Sequence, residues 1–256
     1  MAQTKRVNAI VDLALCAGTA LWGSGCALLA PSDTTPDTVP DFDAATFTDS
    51  TQIDNPYLLL VPGTTWTYLG ETEDGVERIV VEVLEETREV AEVTCRVVRD
   101  RAYLNDILVE DTHDFFAQDD EGNVWYMGEE VDNYNFDDEG ALVDITHEGA
   151  WEAGKDVAGL GHIAKPGHVM KASPAVEDTY HQEYYVGEAE DMAEVVALDV
   201  AVTLSDGTNY TCLKTRDFSA LEPTLNEFKY YASGIGLVLE EVVGSDEKVE
   251  LISVEP

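Results

Sequence analysis

The side chains best suited to chemistry are five histidines, two cysteines in the body of the chain and a large set of carboxylates. His162 and His168 lie six residues apart in a Gly/Pro-rich stretch and are candidate metal ligands. A transition-metal site there needs further ligands from elsewhere, and no His-Glu-x-x-His helix motif supplies them. Exposed loop histidines are the ordinary alternative. His181-Gln182-Glu183 has the His-x-Glu order of zinc deaminases but lacks their Pro-Cys-x-x-Cys partner. Trp151, His181, Tyr184 and Tyr185 are candidates to line a groove for a sugar or an apolar ligand, although aromatics on alternating strands more often fill a core. Cys95 and Cys212 show no metal-binding spacing. They either pair as a disulfide, as an exported protein permits, or stay apart as two buried thiols. No Gly-x-Ser-x-Gly elbow, dinucleotide fingerprint or P-loop occurs, so no catalytic residue is assigned and no cofactor is expected. Asp119-Asp120-Glu121-Gly122-Asn123 has calcium-loop composition, but its Gly is fourth rather than sixth, and a hairpin turn is expected. The cluster Glu188, Glu190, Asp191 and Glu194 reads as a solvated face before it reads as a cation site.

Acidity dominates the composition. The 256 residues hold 52 Asp+Glu against 14 Lys+Arg, a formal net charge of −38. Such a surface repels phosphate backbones, so nucleic acid is excluded as a partner of a basic patch. It also repels anionic headgroups, so membrane association must be covalent or apolar. The excess serves either solvation in saline surroundings or cation binding at particular clusters. Its spread over the whole chain favours solvation.

The first residues have the layout of an export signal. Lys5 and Arg6 precede a mostly apolar run from Val7 to Trp22, and Gly23-Ser24-Gly25-Cys26 follows. Small residues before a Cys resemble the bacterial lipobox, with Gly23 where that motif usually has Leu and Asp12 inside the apolar run. The resemblance implies a lipid on Cys26 and a cell-envelope location on the outer side of a membrane. Ordinary secretion is the alternative. Residues 27–53 are rich in Pro, Thr and Asp and are expected to form a flexible acidic tether.

The elements that would position these side chains read as strands. Ile79, Val81 and Val83 alternate with Arg78, Glu82 and Glu86. Val93, Cys95 and Val97 repeat the pattern, and Val196, Leu198, Val200, Val202 and Leu204 form the longest series. Turn signals separate the runs, among them Asn105-Asp106, Asp137-Asp138-Glu139-Gly140 and Ser205-Asp206-Gly207. Short connections predict antiparallel pairing of sequential strands. Glu188 to Val195 is the one stretch with helical character, and it reads equally as a strand lead-in. Residues 149–176 break the rhythm with Gly and Pro, and long irregular segments are often functional.

Three blocks carry a resemblance: Asn55-Pro56-Tyr57 through Trp66-Thr67-Tyr68, Gln182-Glu183-Tyr184-Tyr185 through Asp191, and Glu227-Phe228-Lys229-Tyr230-Tyr231 through Val238. Together they resemble an uncharacterised family of exported, β-rich bacterial (lipo)proteins. The resemblance implies an all-β domain behind a signal peptide and assigns no activity. The expectation is therefore a single all-β domain over 54–256, an antiparallel sandwich or partly open barrel with little helix. Its expected role is a non-catalytic binding or structural module for an unknown small-molecule or protein ligand, monomeric and tethered to a membrane. The rivals are an exported hydrolase with a site in residues 149–185 and an extracellular cation-binding or adhesive module.

Overall fold

A computed structural model describes residues 38–256 apart from 73, 138, 224 and 225. Strands β1 (Ile53–Asn55) and β2 (Leu58–Leu60) form a small hairpin. The main sheet begins with the meander β3 (Thr65–Thr72), β4 (Gly75–Val90), β5 (Val93–Leu104), β6 (Ile107–Gln118) and β7 (Val124–Phe136). Shorter pieces follow: β8 (Leu142–Thr146), β9 (Trp151–Glu152), β10 (Lys165–Met170), β11 (Thr179–His181) and β12 (Glu183–Tyr184). A second meander ends the chain: β13 (Asp191–Thr203), β14 (Asn209–Ser219), β15 (Asn226–Ala232), β16 (Gly236–Val242) and β17 (Lys248–Glu255). The class is all-β and antiparallel, as the alternation predicts.

Two joins turn the meanders into one barrel-like sheet. The last strand, β17, pairs with β3 and so welds the two halves together. On the far side the segment 179–184 works as a zip. Its first half, β11, pairs with β13, and its second half, β12, pairs with β10, with Gln182 at the crossover. The Gln182 backbone N–H donates to Asp191 O at 2.8 Å. Gly167 permits this closure, because a Cβ there would lie 2.3 Å from His181 O and 2.5 Å from the Gln182 carbonyl carbon. Only a residue without a side chain lets the two backbones approach so closely.

The alternation over residues 79–83 holds, with Ile79, Val81 and Val83 all buried. The opening and closing blocks of the domain pack on each other. Trp66 Nε1 donates to Ile235 O at 2.9 Å and Tyr68 OH donates to Leu237 O at 3.1 Å. Asn105 and Asp106 both have positive φ, 49° and 67°, between directly paired Leu104 and Ile107. That is the two-residue turn that suits the twist of a hairpin.

Two expectations need correction, and one open choice, helix or strand lead-in at Glu188 to Val195, is decided for the strand. Residues 38–53 are docked rather than free: His181 N donates to Thr38 O, Asp120 N to Thr46 O and Gln118 N to Ser50 O. Phe42 and Phe47, whose rings lie 5.4 and 6.1 Å from that of Trp125, supply the apolar contact that a tether lacks. The remainder of the tether, the export signal and Cys26 lie outside the described residues. Glu188 to Val195 is not helical. From Asp191 it is strand, with Asp191, Ala193 and Val195 buried in alternation. The long series at 196–204 is broken as well, because the register of β13 against β14 shifts between Val195 and Val200. Asp199 takes φ +57° there, and Leu198 is exposed while Val202 and Leu204 are buried. A bulge moves the inward phase from odd to even positions.

Candidate functional site

The inner face of the sheet is far more acidic than the alternation suggests. Among the described residues thirteen Asp and Glu are buried, and Lys229 is the one buried Lys or Arg. The densest group spans β11 to β16. Register places Tyr180, Ala193, Asp217 and Glu227 in one cross-strand row. The next row holds Val195, Thr215, Lys229 and Glu240. Lys229 Nζ stands 3.6 Å from Asp217 Oδ2 and 3.7 Å from Glu240 Oε2. Thr215 Oγ1 donates to Asp217 Oδ1 at 2.8 Å, and Gln182 Nε2 donates to Asp217 Oδ2 at 3.3 Å. Asp191 is faced by Ser219 and Glu183.

Burial dominates the electrostatics. It pushes the carboxyls of Asp191 and Glu227 up to about 7, against the partial relief that Lys229 gives both. Burial and then Glu227 hold Glu240 well above the carboxylate range. Burial works against the charge of Lys229, but Glu240 and Asp217 outweigh it and hold the ammonium protonated. A single cation thus serves a group of carboxyls too crowded to ionise together at neutral pH.

A second group lies across the interior. Tyr126 OH donates to Asp114 Oδ1 at 2.9 Å, and burial pushes Asp114 up to about 7 despite that bond, with Glu110 adding to the rise. Burial, and then Asp100 and Glu240, hold the Tyr68 hydroxyl protonated. The arrangement can store protons, or a counter-ion in their place.

The residues singled out from the sequence lie elsewhere or serve closure. His162 Nε2 faces Val186 O at 3.0 Å, and its ring meets Tyr185. His168 is edge-on to Trp125, 4.2 Å between centroids, and burial lowers its pKa to about 4. The two are not brought together, and among the described residues no group of three or more His, Cys, Asp or Glu could hold a metal ion. Cys95 and Cys212 are both buried and free, so the alternative of two separate thiols replaces the disulfide. Burial pushes their thiols up to about 12 and about 11, away from reactivity. Trp151 is buried edge-on to Tyr126. His181 Nδ1 meets Thr38 Oγ1 at 2.9 Å, with its ring edge-on to Tyr184. Tyr185 OH donates to Asp156 Oδ1 at 2.6 Å and accepts from Ala158 N at 2.9 Å. The contacts of these four side chains are separate: Trp151 meets Tyr126 on β7, His181 meets Thr38 and Tyr184, and Tyr185 meets Asp156.

Asp119 is the lock of a hairpin turn. Its carboxylate accepts from Glu121 N, Asn123 N, Asn123 Nδ2 and Trp125 Nε1, at 2.8 to 3.0 Å. A polar groove of about 190 Å³ beside it is lined by Asp49, Asp54, Asp119 and Asp120 together with Thr48 and glutamines. Glu188, Glu190, Asp191 and Glu194 do not act as one cluster, since Asp191 is turned into the core.

Sequence reasoning missed Lys229 and Asp217. The signal was present in Glu227, Lys229 and Tyr231, which alternate with Phe228 and Tyr230 in a run that reads as a strand. An assumption of apolar side chains inward hid it.

No family model and no curated protein matches the chain. Among solved structures, a crystal structure of a "putative lipoprotein" from Parabacteroides distasonis aligns with 81% of this chain and 100% of its own, at 11% identity and a TM-score of 0.34. A likeness of that size carries no argument about function.

Proposed function

We propose that the chain is an exported, non-catalytic module, held at the outer side of a membrane by a lipid on Cys26 and acting as a monomeric binding or structural body. The observation that carries the non-catalytic reading is the use made of residues 149–185. Of the groups that a hydrolase would draw on there, His181 is tied to Thr38 and Tyr185 to Asp156, while the unpartnered Nε2 of His168 is enclosed beside Trp125 and Tyr180. A general base or nucleophile needs a free ring nitrogen or oxygen facing a substrate space. With residues 38–53 docked on the body, the stretch between the proposed anchor and the body is residues 27–37.

The test is expression of the full chain with its own leader in a bacterium, followed by detergent partition and intact mass measurement. A diacylglycerol-modified N-terminus at Cys26, lost in Cys26→Ala, is the expected result. An unmodified mature chain in the medium refutes the anchor. Turnover in a screen of esterase, glycosidase, phosphatase and peptidase substrates, abolished by His181→Ala, refutes the non-catalytic reading.

A further inference from the structure

The interior around Lys229 contains polar groups that its own side chains leave unanswered. Tyr180 is 5% exposed and its hydroxyl has no hydrogen-bond partner. Gln182 is 2% exposed, and its Oε1 is likewise unpartnered while its Nε2 is spent on Asp217. Both belong to the closing segment, Tyr180 on β11 and Gln182 at the crossover, and both are buried beside Asp217: Gln182 through its hydrogen bond, Tyr180 through electrostatic contact. Between Tyr180 and Asp217 in the cross-strand row stands Ala193, the smallest side chain of that row. An unanswered buried hydroxyl or amide oxygen forfeits its solvation without return. Two of them, next to carboxylates in excess of the one ammonium, point to a missing partner of positive charge.

We propose that this compartment binds a monovalent alkali cation, sodium or potassium, between the Tyr180 hydroxyl, Gln182 Oε1 and the Asp217 carboxylate. The donor set is all oxygen and partly neutral, which suits a weakly polarising ion. A divalent ion is disfavoured because, among the described residues, no group of three or more His, Cys, Asp or Glu has the arrangement to hold one. Above neutrality, where Asp191 and Glu227 ionise, water would answer the hydroxyl and the amide but would leave the added negative charge uncompensated.

Protons compete for the same place. The groups facing it are Tyr180 and Glu183 from the closing segment, Asp191 on β13, Asp217 on β14, Glu227, Lys229 and Tyr231 on β15, and Glu240 on β16, with Tyr68 and Asp100 beyond. Burial raises Asp191 and Glu227 to about 7, so protons neutralise the compartment below neutrality and a cation takes over above it. The inference stands apart from the anchoring and non-catalytic readings, because nothing in it depends on Cys26 or on residues that a substrate would touch.

The test is the melting temperature of the full chain at fixed ionic strength, with NaCl or KCl exchanged for choline chloride. At pH 8 the alkali salts should raise it by about 5 °C at saturation, and at pH 5 the difference should vanish. Tyr180→Phe, which removes only the hydroxyl, should abolish the difference at pH 8. Equal melting in all three salts overturns the proposal, as does a full difference retained by Tyr180→Phe. If that variant does not fold, sodium-23 NMR of the natural chain decides: line broadening relieved by potassium but not by choline supports the site, and its absence overturns it.

Discussion

A lysine with no exposed surface on a strand is tolerable only while its charge is answered on several sides, and Lys229 is answered by Asp217 and Glu240. Removing one member of such a group strands the others. Lys229→Met should therefore lower unfolding stability by about 3–5 kcal/mol, measured by urea denaturation at pH 8. Neutralising both acids as well, in Lys229→Met/Asp217→Asn/Glu240→Gln, should recover most of that loss, because the stranded charges go with it. His168 makes a second case: burial against Trp125 holds it neutral, so its Cε1 proton should keep one NMR position from pH 8 to pH 5.5. Neither role was legible in the sequence, for a common reason. Alternation tells which side chains share a face, but the identity of the buried face is inferred from apolarity, and here that face is studded with carboxyls. Cys95 and Cys212 show the opposite limit: spacing left pairing open, and only the fold separates β5 from β14.

Strands were the most legible elements, since their signal is local. The turn at Asn105-Asp106 was visible because both residue types tolerate positive φ. The turn at Ala91-Glu92 was not. These residues take φ 47° and 66° between paired Val90 and Val93, with neither Gly nor Asn to relieve the strain. Ala91→Asn/Glu92→Gly should stabilise the protein by about 1 kcal/mol or more, read as a higher denaturation midpoint with an unchanged slope. The bulge at 196–199 and the zip at 179–184 were hidden because both are fixed by partners distant in sequence. The zip is testable at Gly167. Gly167→Ala would press a methyl into the backbone of residues 181–182 and should cost about 3 kcal/mol, seen as faster amide exchange in β10 to β13 before the rest of the sheet.

For the molecule as a whole, acidity was legible as a number, but the thirteen buried Asp and Glu among the described residues were not, because composition carries no depth. The depth sets the pH response. Asp114, Asp191 and Glu227 have folded-state pKa values raised to about 7, against about 4 when unfolded. Folding therefore takes up protons in that window. Stability is full below about pH 4 for these groups and is lost as pH rises through 7. The melting temperature should fall from pH 5 to pH 8, and the fall should persist in 1 M choline chloride, where surface repulsion is screened. The weld between β3 and β17 sets a schedule on top of this equilibrium. A chain delivered amino end first presents β3 to β7 long before β17 exists, so the edge of β3 must wait unpaired for the final strand. Either meander can pair within itself, but the sheet closes only when β3 and β17, far apart in the chain, meet, and that long-range contact is the slow one to form.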